Sequence, residues 1–571
     1  MKRIIYTVLA VIVAITTQAQ NNETATEAVK NMGVGWNLGN TLDANNTKAA
    51  DYTKDGYWGC QGLESENIWG QPTTKPELMT MMKQAGFGAI RVPVTWYNHM
   101  DKDGKVDARW MARVHEVVDY VLDAGMYCLL NVHHDTGAHE STWLKAGEEV
   151  YNIQKDRYEY LWRQIAEEFK DYDGKLLFES YNEMLDVKGS WCYASFAAPG
   201  GWDAAISSSA YNAINSYAQS FVNTVRAAGG KNSDRNLVVN TYAAACGTGN
   251  WNSHLQDPVK EMKLPVDNVE DHLIFEVHCY PSLTINNGKT DRPLNEVMKE
   301  VDETISTVNK YLVSKGAPVI IGEWGSNNNG SDGRMDYDAR PELLMQFVDY
   351  FVQKTKENGI GTFHWMGLTD GLFRSAPAFS QPDLAERIVK AYHGEDFNGE
   401  YPTLDSSTII FDGDKLLDWG QGITIPGNLI KDCGPTATVE LTYSIEGNGD
   451  DLQLFLGDWS SMTSFLVDGK SFNGDFSPRQ HYSSAVGAEH TTDISFSADA
   501  YNNIAQRGLI VHGHDIRLYK AMLKKQGADG IESIASSMHA NGAPVYNLTG
   551  QRTAHPDRGL FIKNGKTFAS Y

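Results

Sequence analysis

Residues 127–135 read Tyr127-Cys128-Leu129-Leu130-Asn131-Val132-His133-His134-Asp135. A short, mostly apolar, β-compatible run ends abruptly in polar side chains. A stretch with helical spacing, Trp110–Asp123, precedes it, and another, Arg157–Phe169, follows. Outward from this point the alternation repeats from about residue 30 to 395. Runs of the same kind lie at Gly33–Leu38, Ala89–Val94, Leu176–Tyr181, Leu237–Tyr242, Leu273–His278, Val319–Gly322 and Gly361–Trp365. Candidate helices at Lys75–Ala85, Ser209–Ala227, Leu294–Ser314 and Pro341–Glu357 separate others. Strands alternating with helices imply right-handed crossovers and a parallel sheet. Eight units predict an α/β fold, a closed (β/α)8 TIM barrel. The rival is an open doubly wound sheet, but no Gly-rich nucleotide turn follows the first strand. Leu38 stands where the third glycine after Gly33-Val34-Gly35 belongs.

Beyond about residue 402 the pattern changes. Val439–Ile445, Leu452–Leu456, Thr492–Phe496 and Leu509–Tyr519 read as short strands between turns such as Gly447-Asn448-Gly449-Asp450, with no long helical run. An all-β sandwich is predicted for 402–523. Gln526–Gly530 is a polar linker, and Ile531–Tyr571 is too short for a large core of its own.

The chain has 571 residues, 42% hydrophobic and 21% charged, a globular composition that argues against wholesale disorder. Lys and Arg number 49 against 72 Asp and Glu, for a net charge of −23. Such a polyanion repels phosphate at long range, so nucleic acid and anionic lipid are not expected partners. Fourteen Trp and 27 Tyr supply many flat apolar faces of the kind sugar clefts use, although core packing uses them equally. The start, Met1-Lys2-Arg3, a mostly apolar run Ile4–Ile15 and a small residue at Ala19, fits a secretory signal peptide over 1–19. That run is too short to span a bilayer, and no other stretch approaches a transmembrane helix. Six cysteines without CxxC spacing argue against a thiolate zinc site. Cys60 and Cys192 lie in loop-like segments and are candidates for a bridge.

Barrel enzymes carry their sites at the C-terminal ends of the strands. Here those ends hold Arg91, Asn131 to Asp135, Asn182-Glu183, His278-Cys279-Tyr280, Glu323-Trp324 and His364-Trp365. Polar residues on six strands converging on one rim are not explained by ordinary solvation of strand ends. Two of the ends offer a carboxylate, Glu183 and Glu323, on strands three steps apart around the ring. Glycoside hydrolysis needs such a pair, one to protonate the leaving oxygen and one to attack the anomeric carbon or activate water. Arg91 favours the ionised form of a neighbouring carboxylate and Tyr280 can donate to it, which assigns Glu323 as nucleophile. Asn182 can bind a sugar 2-OH, and Trp365 offers a platform for a pyranose. His133, His134 and His278 can hold hydroxyls or tune the carboxylates. Glu179 is read as structural. A zinc site on His133, His134, Asp135 and His278 is disfavoured because adjacent strand residues point to opposite faces. Asp101-Lys102-Asp103-Gly104 departs from a calcium loop at the later ligand positions. No metal and no cofactor are expected.

Gly35-Trp36-Asn37-Leu38-Gly39-Asn40-Thr41-Leu42-Asp43, Ile90-Arg91-Val92-Pro93-Val94, Asn182-Glu183, His278-Cys279-Tyr280 and Ile321-Gly322-Glu323-Trp324-Gly325 resemble glycoside hydrolase family 5, the cellulase A type. The opening motif and Val132-His133-His134-Asp135 look most like its endoglucanase subfamily 4. The resemblance covers roughly residues 25–395. It implies a retaining mechanism with Glu183 as acid/base and Glu323 as nucleophile. It also implies site positions at Arg91, His133, Asn182, His278, Tyr280 and Trp365, and substrate contacts at Asn40, Asp43 and His134. A cis bond at Trp365-Met366 is a further family expectation. The tail Val545–Arg552 with Gly559–Ile562 looks like a sorting segment of the gram-negative type IX secretion route. The expected protein is therefore a secreted or outer-surface endo-β-1,4-glucanase of a gram-negative bacterium. It would be a monomer that acts on cellulose-like, mixed-linkage or xyloglucan chains. A mannan or xylan backbone on the same machinery, and a non-catalytic glycan-binding surface protein, are the alternatives. In the β-domain, Trp459, Tyr482 and His512 are candidate sugar contacts.

Overall fold

In the computed structural model the eight apolar runs form eight strands. The structure describes residues 23–45, 62–138, 142–190, 202–248, 253–286, 288–327, 334–403, 409–419 and 422–524, and four strands between 545 and 570. The signal segment 1–19, Cys60 and Cys192 lie outside the described residues. The strands are β1 (Val34–Asn37), β2 (Ala89–Val92), β3 (Tyr127–Asn131), β4 (Leu176–Glu179), β5 (Leu237–Ala245), β6 (Leu273–Cys279), β7 (Val319–Trp324) and β8 (Gly361–His364). Each pairs in parallel with its neighbours in sequence, and β8 closes on β1 through Val34↔Thr362 and Trp36↔His364. This is the expected (β/α)8 barrel.

Helices α1 (Ala25–Met32), α2 (Pro76–Ala85), α3 (Ala108–Asp123), α4 (Glu148–Glu168), α5 (Ala204–Ala227), α6 (Leu294–Tyr311), α7 (Pro341–Glu357) and α8 (Pro382–His393) belong to the same unit. Their starts follow local chemistry. Thr24 and Glu27 form a capping box on α1, and the Asp203 carboxylate accepts the N–H groups of Ala205 and Ile206 at the head of α5. Proline occupies the first turn of α2, α7 and α8, where its missing N–H costs nothing.

Period-two alternation decides what fills the barrel. Ala89, Leu129, Leu177, Val238, Ile274, Ile320 and Phe363 form a core cluster with Ala25, Ala28, Val29 and Met32, so α1 plugs one end with its apolar face. Two residues further along the same strand faces, the side chains are Arg91, Asn131, Glu179, Asn240 and Glu276, all buried. The barrel is thus apolar at its base and polar above it. The other strand face carries residues such as Ile90, Leu130 and Phe178, which pack with α3 and α4.

The chain divides into two compact units, residues 1–402 and 403–571. The second is dominated by antiparallel sheets. One is six-stranded and includes Ile409–Leu417, Thr438–Ile445, Glu489–Ser495 and Ile516–Lys524. The other is four-stranded, with Ile423–Ile425, Leu509–His514, Asp451–Leu456 and Asp475–Phe476 in that order. Among the described residues three short helices interrupt the strands, the longest at Ala498–Arg507 behind a Ser497 cap, unlike the purely β pattern expected from the sequence. The tail's two apolar pieces carry strands Val545–Asn547 and Gly559–Lys563 of a four-stranded antiparallel sheet. Among the described residues no helix is long and apolar enough to cross a membrane.

Candidate active site

Arg91 organises the polar layer. Buried on β2, it places Nε and Nη2 on the two oxygens of Glu179 at 2.7 and 2.8 Å, a bidentate pair. Its Nη2 also donates to Asn182 Oδ1 at 2.8 Å, and its Nη1 donates to Asn37 Oδ1 at 3.0 Å and Glu323 Oε1 at 2.7 Å. One guanidinium thus ties β1, β2, β4 and β7 together. Burial alone would raise the Glu179 carboxyl. The Arg91 charge, with hydrogen bonds from Arg91 and Asn131, outweighs it and holds the carboxyl below the usual range. Glu179 is wholly buried and both its oxygens are occupied by Arg91.

Glu323 is the penultimate residue of β7 and is 5% exposed. Arg91 grips one of its oxygens, and the Tyr280 hydroxyl donates to the other at 2.7 Å. A register shift between Val277 and His278 sets His278 opposite Glu323. His278 Nδ1 then donates to Glu183 Oε1 at 2.8 Å and lies 3.5 Å from Glu323 Oε2. Burial would push this imidazole down. The Glu323 charge and the bond to Glu183 prevail and push it up to about 10. The Glu183 carboxyl, partly open to solvent, is raised first by desolvation and further by the Glu323 charge, against the opposing His278 hydrogen bond. Ligand oxygens of Glu183 and Glu323 and the ring nitrogen of His278 lie within 4.8 Å of one another.

His133 and Trp365 line the same rim. Asn131 Nδ2 donates to His133 Nδ1 at 3.0 Å, which leaves the ring proton on Nε2, 3.9 Å from Glu323 Oε1. The His133 ring stacks at 3° on Trp365 with centroids 5.9 Å apart. Gly39 lets Trp365 come close, since a Cβ there would sit 2.9 Å from its ring. The bond Trp365-Met366 is trans, contrary to the family expectation. The chain turns instead at Met366, whose φ is +26°, and the Met366 carbonyl accepts from Trp36 Nε1 and His364 Nδ1.

The opening motif supplies a buried turn. Asp43 accepts the N–H groups of Asn40 (3.0 Å) and Thr41 (2.7 Å) and is fully buried, which raises its carboxyl to about 6. Its oxygens face its own loop, while Asn40 takes a left-handed φ of +57° to make the turn. His134 remains partly exposed, tilted against Trp69 at 5.3 Å. Strand alternation does not keep the two histidines apart as expected, because β3 ends at Asn131. The His133 and His134 rings meet edge to face at 4.5 Å, and ligand atoms of Asp43, His133 and His134 come within 4.8 Å of one another.

Of three further inward residues, Asn37 and Asn131 were quoted within motifs without a role and Glu276 was not named from the sequence. Asn37 donates to the carbonyls of Gly322, Phe363 and His364 and accepts from Arg91, fixing β1 against β7 and β8. Asn131 donates to Glu179 and His133. Glu276, wholly buried on β6, lies 3.4 Å from Arg91 Nε and 3.5 Å from His278 Nε2, and neither of its oxygens accepts a hydrogen bond among the described residues. Desolvation and the Glu179 charge raise it to about 7. Counting two residues back from His278 would have found it.

The model of the cellulase family, glycosyl hydrolase family 5, matches residues 43–369, more than half of the chain. The chain belongs to glycoside hydrolase family 5. It is a glycosidase of the cellulase type. Endoglucanase B of Neocallimastix patriciarum is 33% identical over 391 residues, covering 66% of this chain and 73% of the relative. Endoglucanase A of Clostridium longisporum is 31% identical, covering 68% and 70%. Among solved structures, a GH5-4 broad specificity endoglucanase from an uncultured bacterium is 57% identical, covers 66% of this chain and 97% of that one, and superposes with a TM-score of 0.60. A family 5 enzyme from Prevotella bryantii B14, solved with a xyloglucan tetradecasaccharide, is 39% identical with a TM-score of 0.55, covering 65% and 99%.

Proposed function

We propose that the protein is an exported, retaining endo-β-1,4-glucanase that cleaves cellulose-like, mixed-linkage or xyloglucan chains. The observation that carries the reading is the pair Glu183 and Glu323, whose facing oxygens lie within 4.8 Å of each other across His278. Carboxyls about 5–5.5 Å apart suit double displacement, whereas an inverting pair needs ~6.5–9.5 Å to admit a water. In the first step Glu323 attacks the anomeric carbon while Glu183 gives its proton to the leaving oxygen. In the second, Glu183 takes a proton from water, which attacks the same carbon and releases Glu323. The raised Glu183 carboxyl suits the acid step, since it keeps its proton to higher pH than an ordinary glutamate.

Arg91 and Tyr280 orient Glu323, Asn182 stands beside the pair for the sugar 2-OH, and Trp365 offers a flat face at the rim. The GH5-4 enzymes with which the chain superposes support glucan over mannan or xylan. The start of the chain supports export, and the tail supports sorting to the outer surface. The second unit is read as two sheets packed as a sandwich.

A hydrolysis panel of carboxymethyl-cellulose, barley β-glucan, xyloglucan, glucomannan and xylan tests the substrate. Release from the glucans, lost in Glu183→Gln and Glu323→Ala, is expected. Release from mannan or xylan alone would change the substrate, and full activity in Glu323→Ala would remove it as nucleophile. Proton NMR of the first anomer formed from cellotetraose should show the β product, and an α product would overturn retention.

A further inference from the structure

The second unit carries aromatic side chains where solvent reaches them. Trp419 is 57% exposed and Trp459 is 49% exposed, while Trp36, Trp96, Trp110, Trp162 and Trp324 of the barrel are fully buried. The strands explain where these rings meet. In the four-stranded sheet, Asp451–Leu456 pairs with Leu509–His514 through Gln453↔His512 and Phe455↔Ile510. Leu452, Leu454, Leu509 and Val511 are buried on one face, so alternation turns Gln453, Phe455, His512 and His514 to the other.

Both exposed indoles attach to that second face. Trp459 packs on Phe455 at 5.1 Å and meets His512 edge-on at 5.4 Å. Trp419 stacks on His514 at 4.7 Å and lies 6.1 Å from His512. His512 therefore sits between the two indoles. Tyr482, the third candidate from the sequence, is elsewhere, stacked on His490 and bonded to Thr492.

We propose that Trp419 and Trp459, braced on the buried His512 between them, form a binding platform for a β-glucan chain on the second unit, distinct from the catalytic cleft. Two further observations favour a ligand over incidental exposure. First, Trp459 holds a left-handed φ of +58°, unusual for a bulky residue, in the turn that follows Leu456. Such strain persists where the surroundings impose it and concentrates at ligand sites. Second, the rim is polar. Asp418 accepts from His514, and the Asp458–Arg507 ion pair flanks Trp459, while the Gln453–His512 contact lies buried beneath the rings. An apolar ring face bordered by hydrogen-bonding groups matches a pyranose, which has apolar C–H faces and an equatorial belt of hydroxyls. A protein partner would more readily use a contiguous aliphatic patch. The choice of glucan among polysaccharides rests on the proposed reading of the cleft.

The test is native affinity electrophoresis of the full chain carrying Glu323→Ala, through gels containing hydroxyethyl-cellulose, barley β-glucan or xyloglucan. It is compared with the same chain also carrying Trp419→Ala and Trp459→Ala. Retardation is expected in the parent, with affinity weakened about tenfold or more in the double variant. In the active background the same two substitutions should leave kcat/KM on cellotetraose unchanged. Trp459→Asn is the companion variant, because asparagine accepts the left-handed backbone and so removes the ring without unfolding the turn. Equal retardation with and without the indoles would overturn the platform, as would no retardation of the parent by any glucan. Failure of the hydrolysis panel would overturn the reading of the cleft while leaving these mobilities to decide the platform.

Discussion

At the scale of single residues, the site depends on how one buried charge network is shared. Arg91 neutralises Glu179 and steadies Glu323, while His278 stands between Glu183, Glu276 and Glu323. Glu276 is the member that accepts no hydrogen bond among the described residues, although Arg91 and His278 lie within ion-pair distance. Its folded-state value of about 7 is above the ordinary 4.5, so the folded protein holds this proton more tightly than the unfolded chain. The resulting stabilisation is fully present below pH 4.5 and is lost as pH rises through about 7. Relative to Glu276→Gln, which cannot ionise, the wild type should lose on the order of 3 kcal/mol between pH 4.5 and 8. Urea denaturation of both proteins at several pH values measures this. Parallel curves would mean that Glu276 does not titrate in that range.

At the scale of elements, β6 and β7 must fit each other for that carboxyl to be housed. A Cβ on Gly322 would fall 1.4 Å from Glu276 Oε1, so only glycine at this strand position leaves room. Gly322→Ala should destabilise the barrel by about 3 kcal/mol or more, as an overpacked core does, and the loss should shrink in the Gly322→Ala, Glu276→Ala double variant. Denaturation midpoints of the two single variants and the double variant decide it. Additive losses would place the clash elsewhere. Element ends also show where sequence patterns stop being informative. Helix α4 begins at Glu148, nine residues before the apolar spacing suggests, because its first turns are polar and present even Ile153 to solvent. The helix Ala498–Arg507 was missed for the same reason, as it buries only Ala500 and Ile504.

At the scale of the whole molecule, the barrel is closed by its own chain. Every barrel strand and every cleft residue discussed above lies before residue 395, and the second unit begins at 403. Residues 23–402 expressed alone should therefore fold and hydrolyse soluble glucan with kcat/KM within about twofold of the full chain. A circular-dichroism melt and a reducing-sugar assay would check both. Loss of the fold would show that the second unit supports the barrel. Loss of binding to insoluble glucan, with activity on soluble substrate kept, is the result the Trp419 and Trp459 platform leads us to expect.

The order of the barrel strands and the two glutamates on the rim were legible in the residues alone. A run of apolar residues ending in polar ones is a local pattern, and a parallel barrel repeats it eight times in chain order. Which polar residues answer one another depends on how the strands close. Asn37, Asn131 and Glu276 look ordinary within their own strands and become part of the site once closure turns one face of every strand inward. The same holds for Asp43, whose buried carboxylate comes to lie 3.8 Å from His134 Nε2. It holds too for Trp419, separated by 40 residues from Trp459 and drawn near it by the pairing of strands. Side-chain direction follows from local alternation, but the partner it meets is set by strands far apart in sequence.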